Sequence, residues 1–252
     1  MTTMEDRQHI RVAVTGSAGL IGTVVRAGMS GRFDPRWLTR AEADITDLSA
    51  LQRAFAGTDA VVHLAATPDV EATWEEVLPS NVIGAYNAYE AARRVGVRRF
   101  VFASSNHVVG GYMHDDAVFV DPRQPMQIGT DVPPRPDSLY GASKAWGEAL
   151  GRLYAEWHGM SVVCLRIGTV RRNDRPPDPA GRREPPVVAK RVPGMWLSHR
   201  DCVSLVEAAL TADVGFAIVN GVSDNAGRWL GLDEGQRLIG WEPMDGEPVG
   251  RI

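Results

Sequence analysis

A chain of 252 residues with 44% hydrophobic content is long enough to bury one sizeable α/β core with a small appendage. A net charge of −4 without lysine runs argues against a nucleic-acid partner, and no stretch approaches the ~20 apolar residues of a membrane span. The first nine residues are polar and carry no apolar signal region. The two cysteines, Cys164 and Cys202, lack metal-ligand spacing and make no disulfide framework, so a soluble, reducing, cytoplasmic setting is expected.

Short apolar runs alternate with helical patterns along the chain. Strands are predicted over residues 10–15, weakly over 37–39, then over 60–65, 99–104, 162–167 and 216–219. Helices are predicted over 18–28, 48–56, 74–95, 138–158 and 200–212; in 74–95, Val82, Tyr86, Tyr89 and Ala92 recur at helical spacing. This alternation implies a doubly wound parallel sheet with helices on both faces and right-handed crossovers, a Rossmann-type α/β fold in a single domain over 1–252. Small substrate-binding elements are expected within 168–200 and 220–252. The segment 170–191 carries five prolines, seven basic and three acidic residues, and reads as a long loop, either a functional lid or a solvated insertion. After Asn220, glycines, aspartates, Trp229 and Trp241 suggest short helices and turns.

Two patterns carry chemistry. Thr15-Gly16-Ser17-Ala18-Gly19-Leu20-Ile21-Gly22 follows the first strand and opens the first helix. Gly16 allows a tight turn, Gly19 a close backbone approach to a pyrophosphate, and Gly22 close helix–sheet packing; the helix N-terminus offers N–H groups to the phosphates. The second is Tyr140 and Lys144, four apart in the 138–158 helix and so on one face. A phenol ionises near pH ~10, and a fixed cation nearby is expected to lower that value, making a proton-transfer device for an alcohol or carbonyl. By spacing alone the same pair fits a plain surface contact. His63 reads as structural. Ser198 and His199 read as a helix-capping turn.

The Gly16-x-x-Gly19-x-x-Gly22 spacing, His63-Leu-Ala-Ala66, Ser80-Asn-Val-Ile-Gly84, Phe102-Ala-Ser-Ser-Asn-His107 and Tyr140-x-x-x-Lys144, in this order, resemble the extended branch of the short-chain dehydrogenase/reductase superfamily, the NAD-dependent epimerase/dehydratase family. A narrower resemblance is to uronate dehydrogenases, which oxidise the C1 hydroxyl of glucuronate or galacturonate to an aldarolactone. Its residues are Ala103-Ser-Ser-Asn-His107, Arg135-Pro-Asp-Ser-Leu-Tyr140, Arg166-Ile-Gly168, Trp196-Leu-Ser-His199, and Asn225-Ala-Gly227 before Trp229.

The resemblance implies a catalytic Ser105, Tyr140 and Lys144, with Tyr140 as base, Lys144 on the nicotinamide ribose and Ser105 on the reacting oxygen. It implies NAD or NADP held by Gly16, Ala18, Gly19, Leu20, Ile21, Gly22, Asp44, Ile45, Leu64, Ala65, Ala66, Asn81, Tyr140 and Lys144. It implies a small sugar-acid substrate held by Thr67, Ser105, Asn106, His107, Tyr140, Thr169 and Arg191, with Arg191 clamping a carboxylate. No metal is implied, and a homo-oligomer is expected through the long helices.

Three departures stand out. The acidic residue expected roughly 20 residues past the glycines, for the ribose 2′-hydroxyl, is missing: the chain reads Trp37-Leu38-Thr39-Arg40, and Arg40 suits a 2′-phosphate, so NADP is expected to be accepted. Pro68 stands in the loop where the family has a substrate-binding serine. The basic loop 170–191 is enlarged. An epimerase or reductase on another small hydroxyl compound, and a non-catalytic cofactor-sensing module, remain open alternatives.

Overall fold

A computed structural model describes residues 9–121, 124–178 and 185–246; Arg182 and Arg183 of the basic loop, the first eight residues and 247–252 lie outside the described residues. The chain builds a six-stranded, wholly parallel sheet in the order β2-β1-β3-β4-β5-β6. These are β1 (Ile10–Thr15), β2 (Phe33–Leu38), β3 (Ala60–His63), β4 (Arg99–Ser105), β5 (Ser161–Ile167) and β6 (Phe216–Gly221). Between them run α1 (Leu20–Gly28), α2 (Leu48–Phe55), α3 (Trp74–Val77), α4 (Gly84–Arg94), α5 (Leu139–His158), α6 (Pro186–Ala189) and α7 (His199–Thr211), with α8 (Asp233–Ile239) after the sheet. This is the Rossmann-type doubly wound architecture.

The inner strands are largely apolar on both faces because helices cover both, while the edge strand β2 exposes Asp34 and Arg36. Val12 and Val14 of β1 face Val24, Val25, Leu205 and Val206, while Ala13 faces Leu51, Phe55, Tyr89 and Phe100. Leu51 and Phe55 are fully buried, each worth roughly 1.5–3 kcal/mol of apolar burial. A third cluster joins Val109, Met113, Ile128, Val192, Met195 and Trp229 above the carboxyl ends of β4–β6. It is pinned by the bridges Ile128–Leu230 and Thr169–Trp196.

Four expectations are corrected in detail. β2 begins at Phe33, four residues before the apolar signal of 37–39; it is the outermost strand, where Pro35 is tolerated. β3 ends at His63, because Leu64 and Ala65 leave the sheet to meet the glycine loop. The expected helix 74–95 is continuous but contains a π-turn over Leu78–Ile83, where Pro79 has no N–H to give and the Gly84 N–H bonds back to the Pro79 carbonyl. The 170–191 segment is not loop throughout: α6 forms at its end, started by Pro186.

The sheet order reverses between β1 and β3. Ligands of open α/β sheets bind beyond the carboxyl ends of the strands at such a switch point. Here Thr15 of β1 stands beside His63 of β3.

Candidate active site

A cleft of about 820 Å³ opens over that switch point. Gly16, Gly19 to Gly22, Arg40, Asp44, Ile45, Leu64, Ala65 and Ala66 line one end, and Thr67, Ser105, Asn106, His107, Tyr140, Lys144 and Thr169 the other. Three expected residues are not among its lining: Ala18, Asn81 and Arg191.

The glycine loop is shaped for close approach. Gly16 has φ +70°, and a Cβ there would sit 2.6 Å from the Ala65 nitrogen; one on Gly22 would sit 2.5 Å from the Gly16 carbonyl. Gly19 caps α1 with no side chain, so the N–H groups of the first turn remain available to an anion. Asp44 accepts the Thr46 N–H and hydroxyl at 2.9 and 2.8 Å, which fixes the turn that presents Ile45. The Ile45 carbonyl is held by Asn87 at 3.0 Å. These features and the cleft's size fit a dinucleotide.

At the other end, β4 delivers Ser105, and Ser138 caps α5 by accepting the Gly141 N–H at 3.0 Å. Tyr140 therefore lies in the first turn of α5 and Lys144 one turn further. The Lys144 ammonium is buried, donates to the Ala103 carbonyl at 2.7 Å, and lies 5.7 Å from the Tyr140 ring centre. Burial draws Lys144 down to about 7. The Tyr140 phenol is raised by burial, while its hydrogen bond with Ser105 pulls the other way. This corrects the expectation that the lysine lowers the tyrosine: loss of water disfavours the charged form of each group, raising the phenol and lowering the ammonium.

His107 follows Ser105 in a 3₁₀ turn, its ring edge-on to Tyr140 at 5.8 Å and its Nδ1 at 2.8 Å from Asp137. Asp137 lies in the Arg135-Pro-Asp-Ser-Leu-Tyr140 motif, but no role at the site is expected of it from sequence. Asn106 is buried and donates to the Met195 sulfur at 3.1 Å. Thr169 is held by backbone, its N–H on the Met195 carbonyl at 2.7 Å. Asn81 instead braces the site from behind: its amide takes the Thr67 N–H at 2.8 Å and donates to Ser143 of α5 at 3.0 Å.

Arg191 departs furthest from expectation. It is buried, stacks 4.0 Å over Phe119, and donates to the Met113 carbonyl and Asp116 at 2.7 and 2.8 Å. Its donors serve the third cluster, not the cleft. His63 is buried against Thr15 at 2.9 Å, and burial lowers it to about 3, which keeps it neutral. Ser198 caps α7 by accepting the Asp201 N–H at 3.0 Å.

Fold and cleft together define a Rossmann-type protein with a serine, a tyrosine and a lysine gathered at one end of a dinucleotide-sized groove. Residues 12–183 match the NAD dependent epimerase/dehydratase family, and the chain belongs to it. It is 40% identical to an L-arabinose 1-dehydrogenase (NAD(P)(+)) of Haloferax volcanii, over 93% of this chain and 96% of that one. It is 37% identical to an NAD-dependent glucose-6-phosphate dehydrogenase of the same organism, over 93% of each. A solved tyrosine-to-alanine mutant of uronate dehydrogenase from Agrobacterium tumefaciens, complexed with NAD, superposes with a TM-score of 0.75 at 33% identity, covering 94% of this chain and 86% of that one.

Proposed function

We propose that this chain is an NAD(P)-dependent dehydrogenase that oxidises the C1 hydroxyl of a hexuronic acid or related cyclic sugar to the lactone. The observation that carries the reading is the convergence of Ser105, Tyr140 and Lys144 at the end of the cleft opposite the glycine loop. Ser105 orients the hydroxyl. Tyr140 takes its proton, with Lys144 one turn behind. A bound nicotinamide would supply the acceptor for the hydride from the sugar carbon. Gly16, Gly19 and the first turn of α1 would hold the pyrophosphate, and Asp44 and Ile45 the adenine side. Thr67, Asn106, His107 and Thr169 present polar groups to the sugar.

The dehydrogenases to which the chain is similar act, by name, on arabinose, glucose-6-phosphate and uronate, each a sugar or sugar derivative. The decisive experiment incubates the protein with glucuronate, galacturonate, arabinose and glucose-6-phosphate, each with NAD and with NADP, and follows absorbance of reduced nicotinamide. Reduction with one sugar is expected; silence with all would sink the proposal. NADP acceptance rests on Arg40, which lines the glycine-loop end of the cleft with a side chain 86% exposed.

A homo-oligomer is supported by the outer face of α5, where Leu139, Trp146, Leu153 and Trp157 form an exposed stripe near Ile83 and Tyr86. Sedimentation equilibrium returning a monomer would remove that part. A reducing cytoplasm suits the buried free thiols of Cys164 and Cys202.

A further inference from the structure

The acidic residue that the ribose 2′-hydroxyl normally meets is absent from the end of β2, where Leu38 is followed by Thr39 and Arg40, both lining the cleft. A carboxylate nevertheless returns to that point from further along. A turn closed by the Ala43 N–H on the Thr39 carbonyl at 3.1 Å folds Glu42 back. Its Oε2 accepts the Thr39 N–H at 2.8 Å and the Thr39 hydroxyl as well. The pattern Thr39-x-x-Glu42 is that of a capping box, used here with no helix to cap. The Thr39 hydroxyl holds Glu42 below the usual carboxylate range, assisted by the Thr39 N–H and more weakly by Arg26, so it is anionic at neutral pH.

The Thr39 oxygen also accepts the Ala41 N–H at 3.3 Å. A hydroxyl has one donor and two acceptor sites, so one lone pair is left over. The neighbouring cation is differently disposed: Arg40 Nε lies 3.1 Å from Asp44, in an exposed pair that holds it loosely.

We infer that Thr39 and Glu42 together replace the missing acidic residue and make the chain prefer NAD to NADP. The Thr39 oxygen accepts the ribose 2′-hydroxyl, and the Glu42 charge one hydrogen bond behind it opposes a 2′-phosphate. Arg40 offsets that opposition, so NADP is admitted but second. This rests on the cofactor reading proposed above and deepens it.

The test needs no sugar. NADH and NADPH are titrated by nicotinamide fluorescence against the full chain and against Glu42→Gln and Thr39→Val, with thermal melts to certify folding. The expected result is tighter NADH than NADPH in the wild type. Glu42→Gln narrows that ratio roughly two- to fivefold, chiefly through tighter NADPH. Thr39→Val weakens NADH and leaves NADPH nearly unchanged, which keeps the test open if Glu42→Gln does not fold. Tighter NADPH in the wild type, or an unchanged ratio in the folded variants, overturns the inference. Failure of both reduced cofactors to bind the wild type would instead overturn the cofactor reading itself.

Discussion

The His107 imidazole stands against the Asp137 carboxylate, Nδ1 lying 2.8 and 3.0 Å from its two oxygens, and this pair ties the turn after β4 to the start of α5. Asp137 also accepts the Ser138 hydroxyl at 3.1 Å, and a Cβ on Gly110 would strike its carboxylate. The carboxylate accepts from the Nδ1 side, which fixes the orientation of the ring. A sugar hydroxyl in the cleft would find an imidazole of fixed orientation.

Asp137→Asn should therefore raise the KM for the sugar about tenfold, the scale of a hydrogen bond to a charged group. Binding of NADH, titrated by fluorescence, should not change. Steady-state kinetics showing an unaltered sugar KM would assign Asp137 a merely structural part.

Tyr140→Phe should lower kcat by about 10²–10⁴-fold, the usual contribution of a positioned proton acceptor. The change removes one hydroxyl and leaves the α5 turn intact, so the melting temperature should hold. An active variant would move the base elsewhere.

Lys144 gives a pH signature in stability. Its unfolded value is near ~10.4 and burial draws the folded value to about 7. Between those values the unfolded state binds more protons, so stability should rise as pH rises from about 7 to about 10. Lys144→Met should be more stable than wild type near neutral pH and lose that advantage by about pH 10. Urea midpoints of the two proteins that run parallel across this window would contradict the buried, desolvated ammonium.

Glu148 and Arg166 form a fully buried bidentate pair, both contacts at 2.9 Å, and Ser104 adds a hydrogen bond to Glu148 at 2.6 Å. The pair locks α5 to the carboxyl ends of β4 and β5, beside Ser105. Glu148→Gln or Arg166→Met should cost about 3–5 kcal/mol, because each leaves a buried charge uncompensated. Arg166 already has one nitrogen, Nη1, without a partner among the described residues. Replacing both with apolar residues of similar volume should recover most of the loss in urea denaturation. Additive losses in the double variant would refute the coupling.

The chain's own pattern was enough for the strand–helix alternation, the glycine loop, the Tyr140–Lys144 spacing and the family. Each is a matter of local periodicity or a short motif, set by which residues suit a strand, a helix or a tight turn. Even there, Pro35 hid the start of β2, where the sheet edge tolerates it, and the π-turn at Pro79, which has no N–H, leaves no mark on the helical periodicity. What only the tertiary structure decided depends on packing between distant segments. Arg191, one cation of a basic stretch, is consumed by Met113 and Asp116. Asp137 reaches His107 across 30 residues. The balance between Lys144 and Tyr140 follows from how much water each loses, a quantity no spacing records, and it reverses the sign that spacing alone would assign to the tyrosine.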